Sequence, residues 1–309
     1  MTLGALVGIG KRIARPLWGT TTEKCVGSRN EAAARRLHKG PLSHRSEPMP
    51  APLPAPPPMT DEMVGAPISL FLDFDGTLVD IADRHDAIAV DARVRWLMAA
   101  LAKRLDGRLA VVSGRPAAEI CAYLHAEDSV PPFAIAGSHG LELCWTDGRH
   151  EAPLRPAGLD EMVAALRTFA LGWPGVVVED KPFGAALHYR LAPQAGPACD
   201  ALADRLARRY GFTLQLGKMV CELRSHGADK GDAVRRFLAE PPMAGTPPLF
   251  VGDDLTDEAG FAAAEQLGGV GILVGAARET VARYGLPDVA AVHRWLGHLA
   301  GLSGGEDPA

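Results

Sequence analysis

Asp73 and Asp75 are the residues of this chain whose type and spacing are best suited to chemistry. They follow an apolar run, Ile68–Leu72, which predicts a buried parallel strand. Side chains two apart in an extended chain face the same side, so we expect both carboxylates to enter one pocket at the carboxyl edge of a sheet. Gly76 permits a sharp turn there, and Thr77 offers a hydroxyl and a backbone N–H. Two close carboxylates repel unless they are neutralised, and a hard cation such as Mg²⁺ is the usual neutralising partner.

Three further segments carry reactive side chains at the ends of predicted strands or at a helix start. Ser113 follows the apolar run 109–112, and Lys230 opens a predicted helix near the positive end of its dipole. A third apolar run, 248–251, leads into Asp253, Asp254 and Asp257. Since parallel strands present their carboxyl ends at one edge, these groups are candidates for a single site.

Each segment also has a plainer interpretation. The first pair could be an Asp-rich turn that caps a helix. Ser113 could be only the N-cap of the next helix, with Pro116 near its first turn. Lys230 could be a solvated charge, and acidic residues such as Asp257 and Glu258 are favourable in a first helical turn through the dipole.

Together, in this order, the four segments resemble the four motifs of the haloacid dehalogenase-like (HAD) phosphohydrolases. The resemblance implies Asp73 as a nucleophile that forms an aspartyl-phosphate and Asp75 as the general acid and base. It implies that Ser113 hydrogen-bonds the transferring phosphoryl group and that Lys230 balances the negative charge.

The resemblance also implies a metal site. Asp73, Asp253 and the backbone carbonyl of Asp75 would hold Mg²⁺, and Asp254 and Asp257 would support these ligands from outside.

The pattern of elements predicts an α/β fold with a doubly wound, mostly parallel HAD/Rossmann-like core at residues 66–151 and 223–300. Core strands are expected to end near Asp73, Ser113, Gly137 and Asp253, with another at Val270–Val274. Residues 152–222 form an insert with the order helix, strand, strand, helix, strand, strand, an α+β cap that in the family covers the site and selects substrate. The predicted cap elements are Leu159–Leu171, Val176–Glu179, Ala185–Arg190, Pro197–Tyr210, Phe212–Leu216 and Met219–Arg224.

The cap and its junctions resemble the trehalose-6-phosphate phosphatase family. The segments are GSHGLE at 137–142, VEDK at 178–181, LHYR at 187–190, GKMVCELR at 217–224 and GADKG at 227–231. The sequence departs from the family after VEDK, where Pro-Phe-Gly at 182–184 replaces a more polar loop. A disaccharide has many hydroxyls, and convergent polar groups would bind it. The substrate-binding residues that the resemblance implies are Arg115, Ser138, His139, Glu142, Lys181, His188, Arg190, Lys218 and Glu222.

Several of these residues also have a structural alternative. His139 could be a turn histidine, Lys181 a solvated loop charge, and Glu222 a strand residue paired with Arg224. His188 alternates with its neighbours as a half-buried strand residue does.

The implied activity is the Mg²⁺-dependent hydrolysis of trehalose 6-phosphate, a step of trehalose biosynthesis. Three alternatives stay open. The substrate could be another sugar phosphate, such as sucrose phosphate or mannosylglycerate phosphate. The protein could be a non-catalytic, sugar-phosphate-sensing partner of a trehalose-phosphate synthase, although a sensor has no need of Asp75. It could also be a phosphomutase. A functional link to a synthase is a further possibility under the leading interpretation.

Composition limits the other classes of function. The chain has 309 residues and a net charge of −5, so bulk charge does not favour nucleic acid as a partner. Its five cysteines occur singly, which indicates reduced thiols and a cytoplasmic protein. No apolar stretch approaches the ~18 residues that span a membrane, so no membrane partner is expected.

The first 65 residues differ from the rest. Residues 1–47 carry nine Lys or Arg and three Glu, and residues 48–58 include seven prolines. We expect a disordered basic tail with a short helix near 30–37, followed by a polyproline II linker. The alternatives are a misplaced start codon and a docking or membrane-surface tail. Residues 301–309 are expected to be a flexible C-terminus.

Overall fold

The computed structural model describes residues 50–58, 67–81, 90–124 and 132–300, which all belong to one compact unit, Met49–Ala309. Its described strands fall into two sheets. In chain order they are β1 (Ser69–Leu72), β2 (Leu109–Val112), β3 (Ala134–Gly137), β4 (Glu142–Cys144), β5 (His150–Glu151), β6 (Val177–Lys181), β7 (Gly184–His188), β8 (Thr213–Gly217), β9 (Val220–Arg224), β10 (Pro248–Gly252), β11 (Val270–Val274) and β12 (Tyr284–Leu286).

Helices cover the sheets, and several begin at an aspartate cap. They are α1 (Ala92–Arg104), α2 (Ala117–Leu124), α3 (Leu159–Ala170), α4 (Gly196–Tyr210), α5 (Lys230–Leu238), α6 (Glu258–Gln266) and α7 (Val289–Leu299). Asp91, Asp229 and Asp288 accept backbone N–H bonds at the starts of α1, α5 and α7. Among the described residues, no helix has the length and apolarity that crossing a bilayer requires.

The larger sheet has the strand order β12-β11-β10-β1-β2-β3-β4-β5. Strands from β12 to β3 run parallel, and β4 and β5 extend the sheet as antiparallel strands. All four residues of β1 are buried, as expected for a strand covered by helices on both faces. The strand order places β1 between β10 and β2, so the residues that follow these three strands meet at one edge.

The smaller sheet, with the order β6-β7-β9-β8, is antiparallel and forms the inserted cap. One face packs on α3 and α4 through alternate residues such as Leu187, Cys221 and Leu223. The other alternate residues, including Lys181, His188 and Glu222, therefore point away from the helices.

The predicted order of cap elements is present in full, with ends that differ by at most two residues. The predicted boundary at residue 222 falls inside β9, which stays in the cap sheet as far as Arg224. Pairing with β7 and β8 holds these last residues in the cap. The sequence patterns did not predict β4, β5 and β12, which are short.

The Pro-rich segment differs from the free linker that its composition predicts. Gly285 N, in β12, donates to Pro54 O at 2.9 Å, and the Trp295 indole Nε1 donates to Pro57 O at 3.2 Å. Leu53 packs against the core of the larger sheet. The segment lies against the core because its carbonyls satisfy N–H donors on the edge strand and on α7. The predicted tail, its helix near 30–37 and the C-terminus 301–309 lie outside the described residues.

Candidate active site

Four side chains from separate elements converge at the carboxyl edge of the larger sheet. Asp73 follows β1, Ser113 follows β2, Asp253 follows β10, and Lys230 is the first residue of α5. Backbone bonds fix this edge: Asp73 N donates to Val251 O at 2.9 Å. The parallel register thus brings together residues that are far apart in the chain.

Lys230 forms the buried centre of this group. Its Nζ donates to Asp73 Oδ1 and to Asp257 Oδ1, each at 2.7 Å. The lysine is 3% exposed and Asp257 is fully buried. Burial opposes the charge on Lys230, but the Asp257 and Asp73 carboxylates outweigh it and raise the pKa of the lysine. Lys230 is therefore a fixed positive charge beside Asp73, and the alternative interpretation of Lys230 as a solvated charge is wrong.

Three carboxylates crowd around that single lysine. Oxygens of Asp73, Asp253 and Asp257 all lie within 4.8 Å of one another. Burial and the Asp257 charge raise the pKa of Asp73 well above its usual value, and the same causes raise the pKa of Asp253 to about 6. One lysine cannot balance three carboxylates, so the donor set fits a hard divalent cation.

Gly76 allows the loop after β1 to approach this cluster. Its φ is +76°, and a Cβ on it would lie 2.1 Å from Asp253 Oδ2. A side chain at this position would displace the carboxylate, so the sharp turn predicted after Asp75 needs glycine.

The Asp75 carboxylate lies apart from the three clustered carboxylates, paired with Arg115. Arg115 Nε donates to Asp75 Oδ2 at 2.7 Å, and Nη2 donates to Asp75 Oδ1 at 3.0 Å. The guanidinium also donates to Glu119 at 3.3 Å and lies 5.7 Å from the ring centroid of Tyr123. Such a bidentate pair fixes the orientation of both partners. Arg115, expected to bind substrate, thus holds the expected proton-transfer group in this structure.

Ser113 is buried, and it faces the same cavity as Asp73. Its Oγ accepts from Arg115 N at 3.1 Å, while its carbonyl accepts from His139 N at 2.9 Å. Helix α2 begins only at Ala117, so the serine bonds the turn before the helix and is not its N-cap.

Three of the predicted binding residues, Ser138, His139 and Glu142, lie in the loop after β3 or at the start of β4, and they have different surroundings. Ser138 Oγ donates to Glu142 Oε1 at 2.5 Å, and the same oxygen accepts from Ala117 N at 3.4 Å. Both side chains thereby brace the loop behind the cavity wall. His139 alone reaches the cavity. Ser138 and His139 both have positive φ, 51° and 58°, which is strained backbone for residues other than glycine.

His139 faces the cap without a direct bond to it. Its Nε2 lies 3.7 Å from Glu222 Oε2, and neither ring nitrogen has a hydrogen-bond partner within the described part of the chain. Burial lowers the pKa of the imidazole, against the opposite effect of Glu222. A buried neutral imidazole at this point offers one donor and one acceptor to a ligand.

The cap presents a second lysine with two carboxylates. Lys181 Nζ donates to Glu222 Oε1 at 2.7 Å and lies 3.8 Å from Glu179 Oε1. Burial opposes the charge on Lys181, but Glu222 and Glu179 raise its pKa. The pKa of Glu222 is lowered, because the charge of Lys181 outweighs the effect of burial. Glu179 also pairs with His188 Nε2 at 2.8 Å.

Core and cap residues together line a cavity of about 470 Å³. The site residues predicted from the sequence that line this cavity are Asp73, Asp75, Ser113, Arg115, His139, Lys181, His188, Arg190, Lys218, Glu222, Lys230, Asp253 and Asp254. Of the predicted residues, Ser138, Glu142 and Asp257 do not line it. Glu179 and Gln215 do line it and were not predicted as site residues. Their place in the site depends on strand register, which the sequence does not show: it aligns Glu179, Ala186, Glu222 and Gln215 in one row across the sheet.

Comparisons with known proteins agree on one family. The trehalose-phosphatase family model matches residues 71–290. The chain is 41% identical over 209 residues to a probable trehalose-phosphate phosphatase of Sinorhizobium fredii, covering 67% of this chain and 77% of the relative. It is 37% identical over 235 residues to the trehalose-6-phosphate phosphatase of Escherichia coli, covering 75% of this chain and 86% of the relative.

A solved structure supports the same grouping. The crystal structure of a trehalose-6-phosphate phosphatase related protein superposes with a TM-score of 0.62 at 28% identity, covering 75% of this chain and 97% of that one. The predicted HAD fold and the predicted enzyme class, a phosphoric monoester hydrolase, are thereby confirmed. The chain belongs to the trehalose-phosphatase family.

Proposed function

We propose that this protein hydrolyses trehalose 6-phosphate to trehalose and inorganic phosphate. One observation carries the proposal: the Asp73–Lys230 pair and the Lys181–Glu222 pair line the same cavity from the core and from the cap. The first pair suits a phosphoryl group, and the second suits the hydroxyls of a sugar. The names of the relatives support this substrate.

The proposed reaction has two steps. An Asp73 carboxylate oxygen attacks phosphorus in line, the bond from phosphorus to the sugar oxygen breaks, and Asp75 donates a proton to that oxygen. Asp75 then takes a proton from water, and the water oxygen attacks phosphorus. This breaks the aspartyl-phosphate bond and releases inorganic phosphate. Ser113 and Lys230 stabilise the phosphoryl oxygens in both steps.

We propose Mg²⁺ as the cofactor. Asp73, Asp253 and the backbone carbonyl of Asp75 would hold it, supported by Asp254 and Asp257. When bound, Mg²⁺ would neutralise the negative charge that develops on the phosphoryl oxygens. Asp257 Oδ2 accepts from Asp254 N at 2.9 Å, which fixes both aspartates beside the cluster.

The proposed organisation comprises a catalytic core at 66–151 and 225–300 and a cap at 152–224, preceded by a tail at 1–65. The cap would select the sugar with Lys181, His188, Arg190, Lys218 and Glu222, together with His139 of the core. The described cysteines carry free thiols, in keeping with a cytoplasmic location. A functional link to a trehalose-phosphate synthase remains a proposal that rests on the substrate alone.

A phosphate-release panel tests the proposal. The substrates are trehalose 6-phosphate, sucrose 6-phosphate, mannosylglycerate phosphate and glucose 6-phosphate, each with Mg²⁺ and with EDTA. We expect release from trehalose 6-phosphate with a kcat/KM at least about tenfold above the others, and its loss in EDTA.

Each other outcome selects a different interpretation. Preference for another sugar phosphate keeps the chemistry and rejects the substrate. Binding without phosphate release indicates a sensor, and transfer of the phosphoryl group back to the sugar indicates a phosphomutase. Full activity in EDTA rejects the metal.

A further inference from the structure

The two connections between core and cap both bond the same turn of the cap. Residues 152–158 lead into the cap, and residues 225–229 lead back to the core. From the first connection, Arg155 Nη1 donates to Lys181 O at 2.9 Å and to Pro182 O at 3.4 Å. From the second, Ser225 donates to Phe183 O through its N at 3.1 Å and its Oγ at 2.5 Å. The turn between β6 and β7 is therefore held from two sides.

The other two nitrogens of the Arg155 guanidinium also form hydrogen bonds. Its Nε donates to Asp160 Oδ1 at 2.9 Å and its Nη2 donates to Asp180 Oδ1 at 2.8 Å. A guanidinium with all three nitrogens engaged has one orientation, since its fork is planar and rigid. Surface ion pairs alone contribute little, so the bonds to the turn carbonyls are the distinctive part of this arrangement.

This turn carries the lysine of the cap pair. Lys181 is the last residue of β6, and its ammonium reaches Glu222 Oε1 at 2.7 Å. The turn also borders a small cleft against the core, where Phe183 and Gly184 face Gly114 and Leu141. A shift of the turn backbone would therefore move the ammonium relative to both Glu222 and the core.

We propose that Arg155 is a positioning residue for substrate selection: it holds the turn so that Lys181 and Glu222 meet the sugar. This rests on the proposed function, in which that pair contacts the sugar. Displacements of about 1 Å in a site can change rates by about 10²-fold.

Arg167 provides a matched control. Its Nη2 donates to the other oxygen of the same Asp180 at 3.1 Å, and no hydrogen bond joins it to the turn among the described residues. Arg155→Ala and Arg167→Ala therefore remove the same charge beside the same carboxylate, and only the first releases the turn. Arg155→Lys keeps the charge but cannot bond the two carbonyls and both carboxylates at once.

The experiment measures kcat and KM for trehalose 6-phosphate and for p-nitrophenyl phosphate, with thermal unfolding of each variant. We expect Arg155→Ala to lower kcat/KM for the sugar phosphate about tenfold and to change hydrolysis of the small ester less than twofold. For the sugar phosphate, the kcat/KM of Arg155→Lys should lie between that of Arg155→Ala and that of the unmodified protein. The kcat/KM of Arg167→Ala should match that of the unmodified protein. Arg155→Ala added to Lys181→Ala should cause no further loss for the sugar phosphate, because both act through one group.

Three results would overturn the proposal: equal losses in the Arg155 and Arg167 variants, parallel loss on both substrates, or full additivity with Lys181→Ala. If Arg155→Ala does not fold, Arg155→Lys carries the same comparison. If the unmodified protein prefers another sugar phosphate, the proposed function fails by itself, and the comparison is repeated with the preferred substrate.

Discussion

The core and the cap each contain a lysine between two carboxylates, but the two arrangements differ in rigidity. In the core, Lys230 has both partners at 2.7 Å and is 3% exposed. In the cap, the side chain of Lys181 is 17% exposed, with Glu222 at 2.7 Å and Glu179 at 3.8 Å. The three core residues come from three separate segments of the chain, whereas the three cap residues share one antiparallel sheet.

This difference indicates a division of work. A fully buried charge that is bonded on both sides keeps one geometry, which suits stabilisation of a phosphoryl group that every substrate shares. A lysine on a turn, with one close and one distant partner, can exchange a carboxylate for ligand hydroxyls more readily. The core should therefore control all turnover, and the cap should control which sugar is used.

The largest effect should come from Asp73→Asn. An amide has a similar volume and can still accept from Lys230, but it cannot attack phosphorus. We expect turnover of both trehalose 6-phosphate and p-nitrophenyl phosphate to fall by about 10⁵-fold or more, with the unfolding temperature little changed. Appreciable steady-state phosphate release from a preparation free of contaminating phosphatase would contradict the covalent route.

The next effect concerns Asp75 and Arg115, which form one unit on the core side. Asp75→Asn should reduce turnover by about 10²–10⁴-fold. Its Mg²⁺ affinity, read by calorimetry, should change little, because the backbone carbonyl of residue 75 is the proposed ligand. Arg115→Ala alone should reduce turnover less, and in the Asp75→Asn background it should add almost nothing. Independent, additive losses would instead return Arg115 to the substrate-binding role that the family resemblance implies.

Glu222→Ala should separate the two substrates. We expect kcat/KM for trehalose 6-phosphate to fall by about 10²-fold or more, since a site built for hydroxyls is left with unpaired polar groups. Hydrolysis of p-nitrophenyl phosphate should barely change, because that ester does not reach the cap. If both substrates lose activity together, Glu222 is structural or acts at the phosphate, and the comparison between core and cap collapses.

The effect of Mg²⁺ should depend on pH. The pKa of Asp253 is raised to about 6 by burial and by Asp257, so the metal-free folded protein binds a proton more tightly than the unfolded chain does. The stability from this group is present below the unfolded pKa and is lost as pH rises through about 6. Mg²⁺ should therefore raise the unfolding temperature more at pH 7.5 than at pH 5.5, and its affinity should fall by up to about tenfold per pH unit below 6. Asp253→Asn is the control, and an equal shift at both pH values would reject the assignment.

The smallest effect on catalysis should come from truncation. A chain that begins at Pro67 loses the basic tail and the Pro-rich segment, and its kcat/KM should stay within about twofold because residues 50–58, the described part of what is removed, do not line the cavity. Its free energy of unfolding should fall by about 1–3 kcal/mol, since the donors of Gly285 and Trp295 lose Pro54 and Pro57 as acceptors. A chain that begins at Pro50 is the control and should keep the stability. A drop in kcat/KM beyond about tenfold would mean that the removed residues contribute to the site.

The convergence of the core residues of the candidate site could be predicted because each of them follows a strand or opens a helix. For Asp73, Ser113, Lys230 and Asp253, knowing the parallel order of strands is enough to place the side chains at one edge. The cap elements were predictable for a similar reason: their alternation and helical periodicity are local signals.

What could not be predicted depends on register, rotamers or strain. The contact of Glu179 with Lys181 needs the hairpin register, and the pairing of Arg115 with Asp75 depends on one conformation of a long side chain. The role of Ser138 follows from a positive φ at two successive residues, for which the sequence gives no signal. The docking of the Pro-rich segment joins residues 238 positions apart through a carbonyl that any residue would offer.

The strand order of the larger sheet has a consequence for how the chain folds during synthesis. β1 pairs with β10, so Leu70 meets Leu249 only after the whole cap has been made. The cap sheet, in contrast, is built from one continuous stretch: the hairpins β6–β7 and β8–β9 are joined by the β7–β9 pairing, whose most distant partners are Gly184 and Arg224. Contacts of short sequence separation form faster, so the cap sheet should acquire protected amides before β1 pairs with β10, and until then the β10 edge of β1 is unpaired. The cap, which we propose selects the sugar, would thus be finished before the complete sheet of the core can form.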